Sequence, residues 1–439
     1  MIRFNNIIYM NKKIALAALL GLALPGISFA QENSGTQRQE ANIQPAVMNK
    51  VKTMAEELIK KGFTAGDGYG EVWIRDLNTF IELSCKVNDK SQIRKHLITF
   101  FQFQQPDGGI LDGYIPASKA NASGKFYKSE LAPEYMGHKN TVETDQETSL
   151  VQAVAKYVRI TGDKSILTDK VAGLTVKAQM ERALDFLLKN RFDEKHGLLW
   201  GATTVDWGDV QPEHSWGVVI DENTHRAIDI YDNAMFLIAI KDFIAIANLN
   251  ANDVGKWNKV YNNIRQNISK YLWDEKAQKY IPHIYLNGSP FPASFDESKI
   301  YYHGGTAVAI EAGLLTKKQV KEAYLKMQKN VADAHAATIG LTIYPVYPLG
   351  TFENKGMGPY SYQNGGDWTW FGGRMVSQLI RYNLLAEAKE ALAPMLDRVV
   401  KNNGFYEWYT PDNKPMGSSS FRGEAGVLWT AITELEKKK

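Results

Sequence analysis

Along most of the chain from residue 46 onward, apolar residues recur every three to four positions, the spacing of helices that bury one face. The pattern predicts helices over 46–61, 76–87, 91–104, 143–161, 174–190, 228–247, 252–272, 304–312, 316–328, 367–382, 384–401 and 424–437. In 174–190 the residues Val176, Met180, Ala183 and Leu187 share one face. In 228–247 the run from Ala234 to Ala247 is apolar nearly all round, so that helix is expected to be enclosed on every side. Fully apolar helices alternating with amphipathic ones imply two concentric layers, an inner and an outer ring. Strand signals are few, with short hairpins expected at 279–285 and 341–347.

The connections alternate as well. Those at 88–90, 161–164 and 382–383 are short, whereas 62–75, 105–142, 191–227, 283–303, 329–366 and 402–423 are long and rich in Gly, Trp, Asp and His. Long irregular segments that recur within a folded unit are usually functional. In a ring of helical hairpins they open on one face, where a site is expected. No repeat or Pro/Ser-rich linker divides the chain, so 45–439 reads as one domain.

The first 30 residues read as a secretory signal: Lys12 and Lys13, an apolar stretch from Ile14 to Leu24, and Ser28-Phe29-Ala30 as the cleavage site. Met10 begins a better-proportioned signal than Met1. The apolar run is too short to span a bilayer, and no Cys follows the cleavage site to carry a lipid. Residues 31–44 are polar and expected to be disordered. A periplasmic or secreted protein is the expectation, with no membrane attachment after the signal is removed.

Composition changes this picture in one respect. Net charge is only +3 with scattered Lys and Arg, which gives no footprint for a nucleic-acid partner. The single Cys85 has no partner for an internal disulfide. The chain does hold 10 Trp, 21 Tyr and 18 Phe, many of them in polar, Gly-rich loops where a core role explains them poorly.

One such loop is Phe405-Tyr406-Glu407-Trp408-Tyr409, a carboxylate among aromatic rings. Sugar rings stack on aromatic faces, and desolvation among such rings raises a carboxylate toward a useful base. In Asp206-Trp207-Gly208-Asp209 either Asp could stay protonated against the indole and serve as an acid, or form an Asx-turn or helix cap. Trp73, Arg75 and Asp76 offer a stacking face, a donor fork and an acceptor for vicinal hydroxyls; helix capping and a local ion pair explain the last two equally well. Asp145, within Glu143-Thr144-Asp145, is a reserve catalytic candidate or a helix-dipole partner, and Asp232 is a cap or a sugar contact. Asp367, Trp368, Trp370 and Arg374, flanked by Gly pairs, suggest a lined pocket. Trp408 and His303 complete the candidate sugar contacts. His303 and His138 stand alone, and no His/Cys/Asp spacing specifies a metal. No phosphate loop, Ser–His–Asp order or C-x-x-C pair is present.

Three of these segments, in order, resemble the six-hairpin glycosidases, the all-α (α/α)6 toroids that include glucoamylase, trehalase, processing α-glucosidase I and the glucosidase domain of glycogen-debranching enzyme. Trp73-Ile74-Arg75-Asp76 is similar to their W-x-R-D sugar-holding segment, and Val205 to Asp209 to the segment bearing the general acid. Phe405 to Gly417, followed by Gly426 to Thr430, is similar to the segment bearing the general base. Where trehalase and α-glucosidase I carry Glu-Ser-Gly before the acid, this chain has Thr203-Thr204-Val205. The resemblance implies an inverting hydrolase that releases a terminal, α-linked sugar from an oligo- or polysaccharide without a cofactor. Glu407 would be the base and Asp209 or Asp206 the acid. Arg75 and Asp76 would anchor the sugar between walls formed by Trp73, Trp207, Trp368 and Trp370. Two alternatives stand beside it: a toroidal polysaccharide lyase using Tyr and His, and a catalytically inactive carbohydrate-binding protein.

Overall fold

Twelve α-helices carry the fold in the computed structural model, which describes residues 43–120, 126–138, 142–215 and 219–438. They are α1 (Pro45–Ile59), α2 (Ile74–Val87), α3 (Lys90–Gln102), α4 (Gln146–Thr161), α5 (Val176–Asn190) and α6 (Ile230–Ile246). The second half adds α7 (Ala251–Asn267), α8 (His303–Glu311), α9 (Lys317–Asp333), α10 (Thr369–Arg381), α11 (Leu385–Asn402) and α12 (Arg422–Glu436). Each lies where apolar periodicity predicts a helix. The expected secretory segment and most of the polar stretch after it lie outside the described residues.

The even-numbered helices form the inner ring: α2 packs on α4, α4 on α6, α6 on α8, α8 on α10, α10 on α12, and α12 returns to α2. The odd-numbered helices lie outside them, with α1 against α12 and α2, and α11 against α10 and α1. Burial follows this order. In α8 every residue but Glu311 is buried, whereas α7 buries only Trp257 and Ile264. α6 is not enclosed on every side as expected, because Ile238, Lys241, Asp242, Ile244 and Ala245 form a stripe that stays partly or fully exposed. Each fully buried Leu, Ile or Phe of the inner ring contributes about 1.5–3 kcal/mol relative to exposure, so the ring is held by its apolar contacts rather than by its surface ion pairs.

Helix starts differ between most members of the two rings, the exceptions being inner α6, capped by Asp229, and outer α1 and α11, which lack a capping side chain. The outer helices α3, α5, α7 and α9 are capped by their own side chains, from Asp89, Thr175, Asn250 and Thr316. The inner helices α2, α4, α8, α10 and α12 have no capping side chain at the N-cap position. Their unpaired N–H groups must be met by loops from elsewhere, and the long loops enter at these ends. The partial positive charge of those helix ends favours acidic groups there.

The hairpins expected at 279–285 and 341–347 are not formed as such. Lys279–Tyr280 pairs with Trp273–Asp274, Ile284–Tyr285 with Arg226–Ile228, and Ile343–Tyr344 with Tyr301–Tyr302. The first of these is a local hairpin displaced toward the N-terminus, closed over residues 275–278, whereas the other two pairings join separate loops. A four-stranded sheet runs in the order Val72–Trp73, Gly113–Pro116, Tyr135–His138, Phe126–Tyr127 and fixes the entry to α2. A second apolar cluster, including Val205, Val210, Ile300, Tyr302, Tyr347 and Phe352, binds three of the long loops together. Within it Glu297 accepts from Tyr285 at 2.7 Å and Tyr347 at 2.6 Å and lies 2.8 Å from His283 Nδ1.

Candidate active site

The loops leading into α2, α4, α10 and α12, together with the segment 207–210, line a cavity of about 600 Å³. That lies within the usual range for small-ligand sites. Trp73, Trp207, Trp368, Trp370 and Trp408 contribute to its walls, so five of the aromatic residues singled out by sequence converge there. Trp207 stacks on Phe371, with ring centroids 4.5 Å apart, and meets Trp368 and Trp370 edge-on. Interlocked rings cannot turn independently, which makes the aromatic wall stiff.

Glu407 precedes the short strand Trp408–Tyr409, which pairs with Pro415–Met416. Only 6% of Glu407 is exposed. Its Oε1 accepts from the Tyr69 hydroxyl at 2.8 Å and its Oε2 from the Ser418 amide at 3.1 Å. Burial raises Glu407 above the ordinary carboxylate value; the Ser418 and Tyr69 bonds oppose this, and the charge of Asp209 adds to it. The loop carrying Tyr69 is clipped to the Glu407 loop: Asp67 accepts from Ser419 at 3.0 Å and Ser420 at 2.7 Å, and Arg422 donates to the Thr64 carbonyl at 2.7 Å. Tyr69 is therefore positioned against Glu407 by several bonds.

Asp209 also lines the cavity, held by Gln363, whose Nε2 donates to its Oδ1 at 2.7 Å. Asp206, three residues earlier, does not. It is buried with φ at +54°, and its two oxygens each accept, at 2.7 Å, from the amides of Gly304 and Gly305 at the start of α8. A Cβ on Gly305 would lie 2.6 Å from Asp206 Oδ1, so glycine is what lets the carboxylate reach that helix end. Burial pushes Asp206 up to about 8, against the pull of the two amides. The structure gives it the capping role left open by sequence.

Arg75, also in the lining, donates through Nε to Asp145 at 2.5 Å and through Nη2 to Glu143. Asp76 follows it at the start of α2, lining the cavity with its Oδ1 unpartnered. Burial, with help from the charges of Glu407, Asp112 and Asp209, pushes Asp76 up to about 8 against the opposing effect of Arg75. Near neutral pH it can therefore donate to a hydroxyl as well as accept from one.

Five other predicted site residues lie off the cavity, each for a physical reason. Asp145 is fully buried between Arg75 and the Tyr231 hydroxyl, which donates to it at 2.7 Å. Asp232 accepts from the Thr144 amide at 3.3 Å and thereby ties the start of α6 to the loop before α4. His303 accepts at Nε2 from Asn330 at 3.1 Å and donates from Nδ1 to the Ile339 carbonyl at 3.2 Å. Burial holds it down at about 4, the neutral form those two bonds require. Asp367 is enclosed by Thr338 and by Arg398, 2.9 Å away. Arg374 pairs with Glu311 at 2.9 Å beside a small polar void of about 50 Å³ among the inner helices. Conversely Tyr69, Glu71, Asp112, Tyr362 and Gln363 line the cavity without having been singled out. Among the described residues no group of three His, Cys, Asp or Glu could hold a metal ion, and no helix is long and apolar enough to cross a membrane.

A closed double ring of helices with an aromatic, carboxylate-lined cavity at one face defines a six-hairpin glycosidase. The model of the glycosyl hydrolase 94 superfamily catalytic domain matches residues 47–373, about three-quarters of the chain, and the protein belongs to that superfamily. The matched region includes Asp209 and ends before Glu407. No curated protein matches by sequence. Among solved structures, the chain is similar to the GH63 mannosylglycerate hydrolase from Thermus thermophilus in complex with glucose, at TM-score 0.61 and 15% identity, over 87% of this chain and 99% of that one. The same enzyme with Tris and D-glycerate gives 0.62 and 16%, over 87% and 100% of the two chains. A rhamnose-bound rhamnosidase from Klebsiella oxytoca gives 0.59 and 12%, over 90% and 65%. At such identities the likeness speaks for the fold alone.

Proposed function

We propose that the protein is an inverting, exo-acting hydrolase of a terminal α-linked sugar, with Glu407 as general base and Asp209 as general acid. The observation that carries this reading is the meeting of the two carboxylates, from distant segments, in one aromatic cavity. Glu407 takes a proton from a water as that water attacks the anomeric carbon. Asp209 gives its proton to the leaving oxygen as the glycosidic bond breaks. Inversion requires roughly 6.5–9.5 Å between such carboxyls, space for one water. Arg75, Asp76 and the Trp walls hold the sugar. Membership in a glycosyl hydrolase superfamily favours hydrolysis over the lyase alternative.

Incubation with a panel of α-linked disaccharides and aryl α-glycosides, followed by proton NMR of the first product, tests this. The expected result is one released monosaccharide appearing first as the β anomer. Initial release of the α anomer, or cleavage of internal bonds only, would overturn the assignment.

We also propose that the chain is exported and processed after Ala30, on the strength of the basic, apolar and small-residue order of its first 30 residues. Intact-mass measurement of protein from the periplasm or medium should place the mature start at Gln31. A mature protein retaining residues 1–30, or one confined to the cytoplasm, would refute export.

A further inference from the structure

Gln363 is almost completely buried and meets Asp209 twice. Its Nε2–H donates to Asp209 Oδ1 at 2.7 Å, and its Oε1 accepts from the Asp209 amide at 3.3 Å. These contacts determine the amide's orientation: turned over, its NH2 would face an N–H and its carbonyl a carboxylate. The backbone behind it is equally constrained. Thr342 Oγ1 donates to the Gln363 carbonyl at 2.7 Å and accepts from the Gly365 amide at 2.8 Å. The side chain of the next residue, Asn364, bonds Tyr347 through both its oxygen and its nitrogen, and also donates to the Met357 carbonyl. Tyr362, just before it, has φ at +48°, a conformation that persists only where the surroundings over-determine it. On the Asp209 side, Gly208 makes the approach possible, because a Cβ there would lie 2.8 Å from Gln363 Oε1 and 2.7 Å from the Val205 carbonyl.

We propose that Gln363 is a positioning residue for the acid, a role that rests on the reading of Asp209 as proton donor. By occupying Oδ1 it reserves Oδ2 as the oxygen that carries the proton. In the step itself, the Oδ2–H proton passes to the glycosidic oxygen while the bond to the anomeric carbon breaks and its electron pair goes to that oxygen. Asp209 is left as a carboxylate. Negative charge thus grows on the group Gln363 already faces, and its N–H bond strengthens as the reaction proceeds, which is the condition for lowering a barrier.

The test is Gln363→Met, which keeps length and removes the donor, assayed on glycosides of graded leaving-group ability alone and combined with Asp209→Asn. The expected result is a loss of about 30-fold in kcat on poor leaving groups, a fraction of the 10²–10⁴ that proton transfer contributes. Activated aryl glycosides should change less than about threefold, and the double variant should lose nothing beyond Asp209→Asn, as coupled residues do. Should Gln363→Met not fold, Gly208→Ala, which displaces the amide from the other side, should give the same leaving-group pattern. Equal losses on all leaving groups, or losses that multiply with Asp209→Asn, would show Gln363 to be merely structural. If Asp209→Asn itself shows no leaving-group dependence, the acid assignment fails; if it does and Gln363→Met does not, only the role of Gln363 fails.

Discussion

Glu407→Gln is expected to lower kcat by about 10²–10⁴-fold on every substrate, the usual contribution of a positioned base, without loss of folding. The amide can still accept from Ser418 and can donate to the Tyr69 oxygen, so both native contacts have replacements. Burial raises Glu407 in the folded state, so the fold favours the protonated form. Ionising it therefore costs stability as pH rises through its folded value, a cost the amide avoids. At neutral pH the variant should melt no lower than wild type, and below the ordinary Glu value the two should converge. The same shift places the acid limb of the wild-type activity profile above that expected for an exposed Glu. Tyr69→Phe removes an opposing bond and should move that limb further up. Near wild-type turnover in Glu407→Gln would remove the base assignment. Unchanged sugar binding with no turnover in either protein would identify an inactive binder.

The second large effect separates two aspartates three residues apart. Asp209→Asn should reduce turnover of poor leaving groups by about 10²–10⁴-fold while sparing activated aryl glycosides, because only the former need a proton. Asp206→Asn should show the reverse profile: activity per folded molecule retained, stability reduced. Its amide can accept from only one of Gly304 and Gly305 and presents a donor to the other, a loss of about 1–3 kcal/mol. Melting curves and leaving-group series on both variants decide the matter. A leaving-group effect in Asp206→Asn alone would exchange the two roles.

The helices were legible because a ring inside a ring imposes a burial period on most segments, clear in α2 and α10, while α6 stood out by its apolar composition instead. The strands were not, since Ile343–Tyr344 finds its partner at Tyr301–Tyr302, and two-residue pairings across distant loops leave no periodic trace. At the site, Trp73, Trp207, Trp368, Trp370 and Trp408 stood out because rings in polar, Gly-rich loops are hard to explain as core. Asp145, Asp232, Asp367 and Asp206 look in sequence like ligand contacts, because an acid that secures a buried helix entrance and one that binds a sugar use the same chemistry. Only their partners, Arg75, Thr144, Arg398 and the glycine pair, tell them apart. Tyr69 lies among Gly66, Gly68 and Gly70, and Gln363 one residue before the Asn364-Gly-Gly run. Both border segments that had drawn notice, yet each matters through a carboxylate far away in the chain.

α12 closes the inner ring, wedged between α10 and α2. Glu407 stands immediately ahead of it, while Tyr69 and Asp67, which hold that segment in place, come from the opening hairpin. The contact between Glu407 and Tyr69 thus depends on the same closure that seats α12 against α2. Closing the ring and setting that carboxylate are therefore one event, and loosening α12 from α2 would release Glu407 along with the helix.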